Sequence, residues 1–298
     1  MISTGPAVAP ITVIVTAFDR IERTIETVRI LKECRPAAAE ILVHVDGNHR
    51  VCADAIRTAH ADVTVLCNES RVGPGGGRNA LIGAAAEPIV ASFDDDSYPL
   101  DRDYFARVAD VFARLPDASI VGGYVYHRHE PVGPDDRQAA WVADFSGGAC
   151  AYRREHFLAS GGYVPVETAY GMEEVDLALR LHAAGRRVLQ TSWLRVYHDT
   201  DLARHAAPEV TAASIANIAL LTYLRYPRSL WPVGAAQLVK RIWWLLGHGR
   251  RRGVLRGVAG IRSSIDRHRN SRRRLPAAAV RSYLRLRRNP VPVEWSRR

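Results

Sequence analysis

Ile89-Val90-Ala91-Ser92-Phe93-Asp94-Asp95-Asp96-Ser97-Tyr98-Pro99 joins a short apolar run to three adjacent carboxylates and a turn sequence. A run of this length and composition reads as a buried strand. Carboxylates side by side repel one another, so clustering them at a strand end is costly unless a cation offsets their charge. Mg2+ and Mn2+ take oxygen ligands, commonly one or two carboxylates completed by substrate phosphates. An isolated triplet of this kind is a solvated turn; directly after a buried strand it reads as a metal site.

Upstream, the same rhythm repeats. Residues 11–15 form a β-branched run after Pro10, and Ile21, Ile25, Val28 and Leu31 then recur at helical spacing. Residues 41–45 are a second strand, closed by the turn Asp46-Gly47-Asn48. A helix over about 51–59, a strand over 63–67, a glycine-rich loop and a helix over about 78–86 lead back to Ile89. Such alternation gives βαβ units and a mostly parallel sheet. Ligands bind such sheets beyond the carboxyl ends of the strands. Residues 16–19, Asp46 and Asp94–Asp96 all fall there.

Downstream, the spacing predicts a helix over 103–115, a strand over 119–125 and a polar loop over 127–138. Strands over 141–145 and 148–152 follow, then a helix over 174–184 ended by Gly185. Residues 188–191 and 194–196 read as short extended pieces. The loop Asn68-Glu69-Ser70-Arg71-Val72-Gly73-Pro74-Gly75-Gly76-Gly77-Arg78-Asn79 fits neither dinucleotide-fold nor P-loop spacing. Its glycines allow close backbone approach, and a helix N-terminus beside Arg78 suits a phosphate.

Taken together and in order, these motifs resemble family-2 glycosyltransferases of GT-A fold. They are Thr16-Ala17-Phe18-Asp19-Arg20, Val45-Asp46-Gly47, the Asn68–Asn79 stretch and Phe93-Asp94-Asp95-Asp96. Ser146-Gly147-Gly148, Gly161-Gly162-Tyr163, Gly171-Met172-Glu173-Glu174 and Val196-Tyr197-His198 continue the resemblance to about residue 200. It implies a Rossmann-like nucleotide-diphospho-sugar transferase: an α/β, mostly parallel sheet flanked by helices. A rhamnosyltransferase- or galactofuranosyltransferase-like branch is compatible with it.

The resemblance also implies roles. Thr16, Phe18, Asp46, Arg78, Asp94 and Asp95 would contact the sugar donor, Asp46 through its base. Asp96 would be the principal metal ligand, helped by Asp94 and His198, with Mn2+ or Mg2+ as cofactor. The family's catalytic Asp is replaced by Glu174, one methylene longer and still a competent general base. Trp141, Gly147, Gly148 and Glu173 are the expected acceptor contacts. Trp141, Tyr170 and Trp193 serve equally as sugar platforms or as core. A single Asp46, where the family usually has two acids, leaves a UDP-, dTDP- or GDP-linked donor open. The implied reaction is inverting transfer to a hydroxyl of a glycan, a lipid-linked or a small-molecule acceptor, in cell-surface glycan or glycosylated-metabolite synthesis. The rival readings are a sugar-nucleotide nucleotidyltransferase and a non-catalytic sugar-nucleotide module at a membrane. The first would place its glycine-rich loop after the first strand, where Thr16–Arg20 stands.

Residues 225–298 hold 20 of the 41 Lys and Arg but two of the 31 Asp and Glu, which leaves the first 224 residues net acidic. The expected division is therefore a catalytic domain over 1–207, with halves 10–100 for nucleotide and 101–207 for acceptor, and a basic, amphipathic helical region over 208–298. Its Trp-rich stretch is too short and too charged to span a bilayer. Flanked by Arg250–Arg252 and Arg272–Arg274, it suits an anionic membrane surface or a solvated appendage. Nucleic acid is not expected, because no recognised module accompanies the charge. Four scattered cysteines with no metal spacing read as free thiols, and the N-terminal residues lack a signal-peptide pattern. The expectation is a cytoplasmic protein, free or peripheral on the inner face of the cytoplasmic membrane.

Overall fold

A computed structural model describes residues 8–168, 172–200 and 207–294. The first hundred residues build β1 (Val8–Ala17), α1 (Ile21–Lys32), β2 (Ala37–Val45), α2 (Arg50–Ala59), β3 (Thr64–Cys67), α3 (Gly73–Ala84) and β4 (Ile89–Asp94). β3, β2, β1 and β4 lie side by side and pair in parallel, as the alternation requires. β5 (Ser97–Pro99), α4 (Tyr104–Arg114), β6 (Ala118–His127), β7 (Ala139–Val142), β8 (Ala149–Arg153) and α5 (Arg154–Ser160) follow. Then come α6 (Glu173–Ala183) and β9 (Arg187–His198). The sheet continues from β4 through β8, β6, β9 and β7, with β8 antiparallel to both its neighbours.

Side chains alternate across the sheet, so each face builds its own core. Val13 and Val15 join Val28, Ile56, Phe105 and Val108 under α1, α2 and α4. Ile14 and Val90 point the other way, onto Leu81, Phe157, Leu177 and Leu179 of α3, α5 and α6. Cys34, Cys52 and Cys150 are buried free thiols, and Cys67 is an exposed one.

The structure departs from the sequence reading in four places. The glycine-rich stretch is the opening of helix α3, not a loop. A Cβ at Gly75 would stand 2.5 Å from the Glu173 carboxylate, and one at Gly77 2.6 Å from the His44 ring. Glycine is needed there for close approach, while Pro74 suits the first helical turn. Ser97-Tyr98-Pro99, read as a turn, pairs antiparallel with the end of β9. The two short pieces after residue 187 are one twelve-residue strand, irregular where its register against β6 shifts beyond Gly123. Helix α5 was not anticipated.

α7 (Pro208–Arg225), α8 (Trp231–Gly247), α9 (Val254–His268) and α10 (Ala277–Arg288) complete the chain, and β10 (Val291–Pro292) adds itself antiparallel to β7. Leu220 and Leu224 of α7 and Val280 and Tyr283 of α10 share the core of α6. Asp176 of α6, fully buried, binds Arg180 of its own helix and Arg225 of α7. Among the described residues, no helix is long and apolar enough to cross a membrane.

Candidate active site

A cavity of about 560 Å3 opens at the carboxyl ends of β1, β2 and β4 and is also lined by the starts of α3 and α6. Thr16, Phe18, Asp46, Asp94, Asp95, Asp96, Glu174 and His198 all line it. Residues spread over 180 positions of sequence thus meet because parallel strands deliver their ends to one edge.

Asp94 is braced by two neighbours. Thr16 Oγ1 donates to its Oδ1 at 2.9 Å, and the guanidinium of Arg78 pairs with the same oxygen. Arg78 is 2% exposed and also donates to Ser92 Oγ. Ser92 in turn donates to the Gly147 carbonyl at 2.7 Å, and Ser97 Oγ donates to that of Gly148 at 2.6 Å. The two glycines therefore press their backbone against the site. A Cβ at Gly147 would stand 2.9 Å from both the Arg78 guanidinium carbon and Glu174 Oε1, and one at Gly148 would overlap the Asp94 carboxylate.

Asp95 and Asp96 diverge in role. Arg20 grips both, through Nε and Nη2 to Asp95 and through Nη1 to Asp96 at 2.6 Å. Thr27 Oγ1 donates to the Asp95 carbonyl. Burial raises the Asp95 carboxyl above the usual range against the pull of Arg20. Burial acts the same way on Asp96, but the hydrogen bond from His198 and the charge of Arg20 outweigh it and hold this carboxyl down to about 2. His198 Nε2 lies 3.0 Å from Asp96 Oδ1, and this bond raises the imidazole pKa against the effect of burial. The β5–β9 pairing places Ser97 opposite His198 and so brings the histidine to the triplet.

Among the described residues, no three His, Cys, Asp or Glu side chains are grouped as a ready metal cage. One reason is that Asp94 is turned to Arg78 and Thr16, while Asp96 and His198 face each other. The Asp96 oxygen and the His198 nitrogen, beside the Asp94 carboxylate, nevertheless fit a divalent cation that takes its remaining ligands from phosphate.

Asp46 spends both oxygens on the backbone N–H groups of Val72 and Gly73, at 2.8 and 3.0 Å, and so fixes the entry to α3. Gly73 has φ +74°, and a Cβ there would overlap the Val166 carbonyl. Phe18 lies under the Arg71 guanidinium, 4.4 Å from the ring centroid, and meets His49 edge-on.

Glu174 is half-buried at the head of α6, and burial raises its carboxyl pKa above the usual range, with Arg78 opposing. Glu173 is not brought into the cavity. It is fully buried against Gly75, accepts from the Val166 N–H at 3.0 Å and leaves Oε2 without a partner. Burial, with the Glu174 charge, pushes its carboxyl up to about 8. Trp141 also lies elsewhere, on β7 in a second cavity with Arg187 over its ring. Trp193 is buried under Arg107 and Arg137. Tyr170 and Gly171 lie outside the described residues.

Arg20, His44, Arg71, Phe145, Ser146 and Thr200 line the cavity without having been singled out. Arg20 belongs to the Thr16–Arg20 motif, but nothing local signals that it clasps Asp95 and Asp96, 75 and 76 residues away. His44 gives Nε2 to Asn68 Oδ1, and its buried Nδ1 has no partner.

The family described as Glycosyl transferase family 2 matches residues 12–161. A search of curated protein sequences finds no match. Similar solved structures include GalNAc-T7 with UDP, GalNAc and Mn2+, at TM-score 0.58 and 15% identity over 74% of this chain and 48% of that one. The mannosyltransferase PcManGT from Pyrobaculum calidifontis, in complex with GDP-Man and Mn2+, gives TM-score 0.58 and 16% identity over 92% and 79%. S. aureus TarS 1-349 in complex with UDP-GlcNAc gives 0.53 and 14% over 72% and 70%. The chain spans about half the length of GalNAc-T7. At these identities the likeness establishes a shared fold, and that fold is GT-A.

Proposed function

The chain belongs to glycosyl transferase family 2, and from that premise we propose that it moves a hexosyl or deoxyhexosyl group from a nucleotide-diphosphate donor to an acceptor hydroxyl, with inversion. The observation that carries this reading is the single cavity holding Asp94, Asp96, His198 and Glu174 at the carboxyl edge of the parallel strands.

The base of a UDP-, dTDP- or GDP-sugar lies by Phe18 and Asp46, and Asp94, held in place by Arg78 buried behind the cavity wall, orients the ribose and diphosphate. Asp96 and His198, beside Asp94, would hold Mn2+ or Mg2+, which when bound would supply positive charge to offset that of the leaving diphosphate. Arg78 stays charged throughout, paired with Asp94 and buried. Glu174 takes the proton of the acceptor hydroxyl as that oxygen forms its bond to the anomeric carbon. The bond from that carbon to the diphosphate breaks in the same step, and one displacement inverts the centre. Burial suits Glu174 to this role, because a carboxylate of raised pKa binds the transferred proton more firmly. We assign the reaction to the cytoplasm and to the building of a cell-surface glycan or glycosylated metabolite.

Two measurements test the reading. Thermal-shift titration with UDP-, dTDP- and GDP-sugars, with and without Mn2+, is expected to single out one nucleotide, with a larger shift when metal is present. Stabilisation by none of them counts against the whole assignment. Glu174→Gln is expected to retain donor binding and lose transfer by about 10²–10⁴-fold. Transfer at the parent rate would remove Glu174 as the base.

A further inference from the structure

α8 is apolar on two opposite faces. Its inner side docks on α7: Leu245 is buried with Ile215, and Gly234 sits so close to Thr222 that a Cβ would overlap it. Its outer side carries Ala236, Val239, Trp243 and Leu246 at spacings of three and four residues, which is one helical stripe. Val239 is 52% exposed and Trp243 72%. α9 also packs against α7, through Val254 and Gly257, and turns Leu255 outward at 85% exposure. The link between these helices carries Arg250, Arg251 and Arg252. No Asp or Glu stands between Glu209 and Asp266, whereas nine Lys and Arg do.

We propose that the outer face of α8 and the start of α9 form a docking surface for an anionic lipid bilayer. Exposed Trp and aliphatic side chains ringed by Arg match the boundary between acyl chains and acidic headgroups. Neither helix is long and apolar enough to cross a bilayer, so the helices lie on it. A second copy of the chain is a poor occupant, because a two-fold interface would set the Arg250–Arg252 triplet against its own copy. Of the two arginine triplets, 250–252 belongs to this surface. Arg272 does not, since it donates to the Tyr223 carbonyl and covers the Tyr223 ring at 4.1 Å.

Flotation of the full chain with vesicles tests this without any sugar substrate, so its failure leaves sugar transfer untouched. The chain is expected to bind phosphatidylcholine vesicles containing phosphatidylglycerol and to stay behind with phosphatidylcholine alone. Arg251→Gln with Arg252→Gln should weaken binding about 30-fold, at roughly five-fold per basic side chain near an anionic surface. Trp243→Glu with Leu255→Glu should abolish it while the melting temperature and nucleotide-sugar binding stay at parent values. Equal binding to both vesicles, or flotation unaffected by either pair, overturns the proposal. So does absence of flotation together with a dimer that the Trp243 and Leu255 changes dissociate.

Discussion

Replacing Asp176 by Asn removes the one carboxylate shared by two buried guanidiniums. Asp176 is fully buried, and the side chains of Arg180 and Arg225 are 11% and 3% exposed. Without it, Arg180 keeps the carbonyls of Ser160 and Gly162, and Arg225 keeps that of Ser271. Two positive charges then face each other out of water. Removing one partner of a buried ionic pair costs about 3–5 kcal/mol. A chain of this size loses roughly 2–4 °C per kcal/mol, so the melting temperature should fall by roughly 6–20 °C. Arg225→Met should cost less, because Asp176 keeps Arg180. The double variant should be more stable than Asp176→Asn alone, since it also removes an unanswered charge. Calorimetric melts of the three variants and the parent at neutral pH measure this. A single Asp176→Asn variant within about 2 °C of the parent refutes the reasoning, as does a double variant whose loss equals the sum of the single losses.

Gly148→Ala should drive the Asp94 carboxylate from its place and lower donor affinity at least ten-fold with the circular-dichroism spectrum unchanged; titration calorimetry reads the affinity. Gly83→Ala lies on the open side of α3 with nothing within 4 Å, and should stabilise the fold by about 0.5–1 kcal/mol in a denaturant titration. For Glu173 the folded carboxyl is raised to about 8 from an ordinary 4.5, so the folded state binds the proton more tightly. Its stabilising contribution is complete below about 4.5 and lost as the pH rises through 8. The melting-temperature advantage of Glu173→Gln over the parent should therefore widen between pH 6 and 8.5; a gap that stays constant refutes the assignment.

The parallel half of the fold was legible because its strands are β-branched runs closed by turn residues. The carboxyl-edge rule alone then sets Asp46 and the acidic triplet together. Less legible was whatever depends on a distant partner. Ser97-Tyr98-Pro99 has too few residues and too late a proline to announce a strand, and only its pairing with β9 makes it one. The glycines of α3 read as room for a phosphate to approach the backbone, whereas it is the Glu173 carboxylate and the His44 ring that take up that room. The hold of Arg20 on Asp95 and Asp96 has no local pattern at all. The family resemblance sets Glu173 at the acceptor beside Glu174, but neighbours on a helix point apart, and Glu173 turns inward to Val166.

On the ribosome, the pairing of the sheet follows a schedule set by chain order. β1 to β4 have all their mutual partners once the first hundred residues have emerged. Asp176, by contrast, emerges 49 residues ahead of Arg225, and β7 has an open edge until Val291 and Pro292 arrive. The nascent chain therefore carries a half-answered carboxylate for 49 residues of synthesis and an open strand edge for about half of the chain. That interval is when a holding chaperone would matter to this protein.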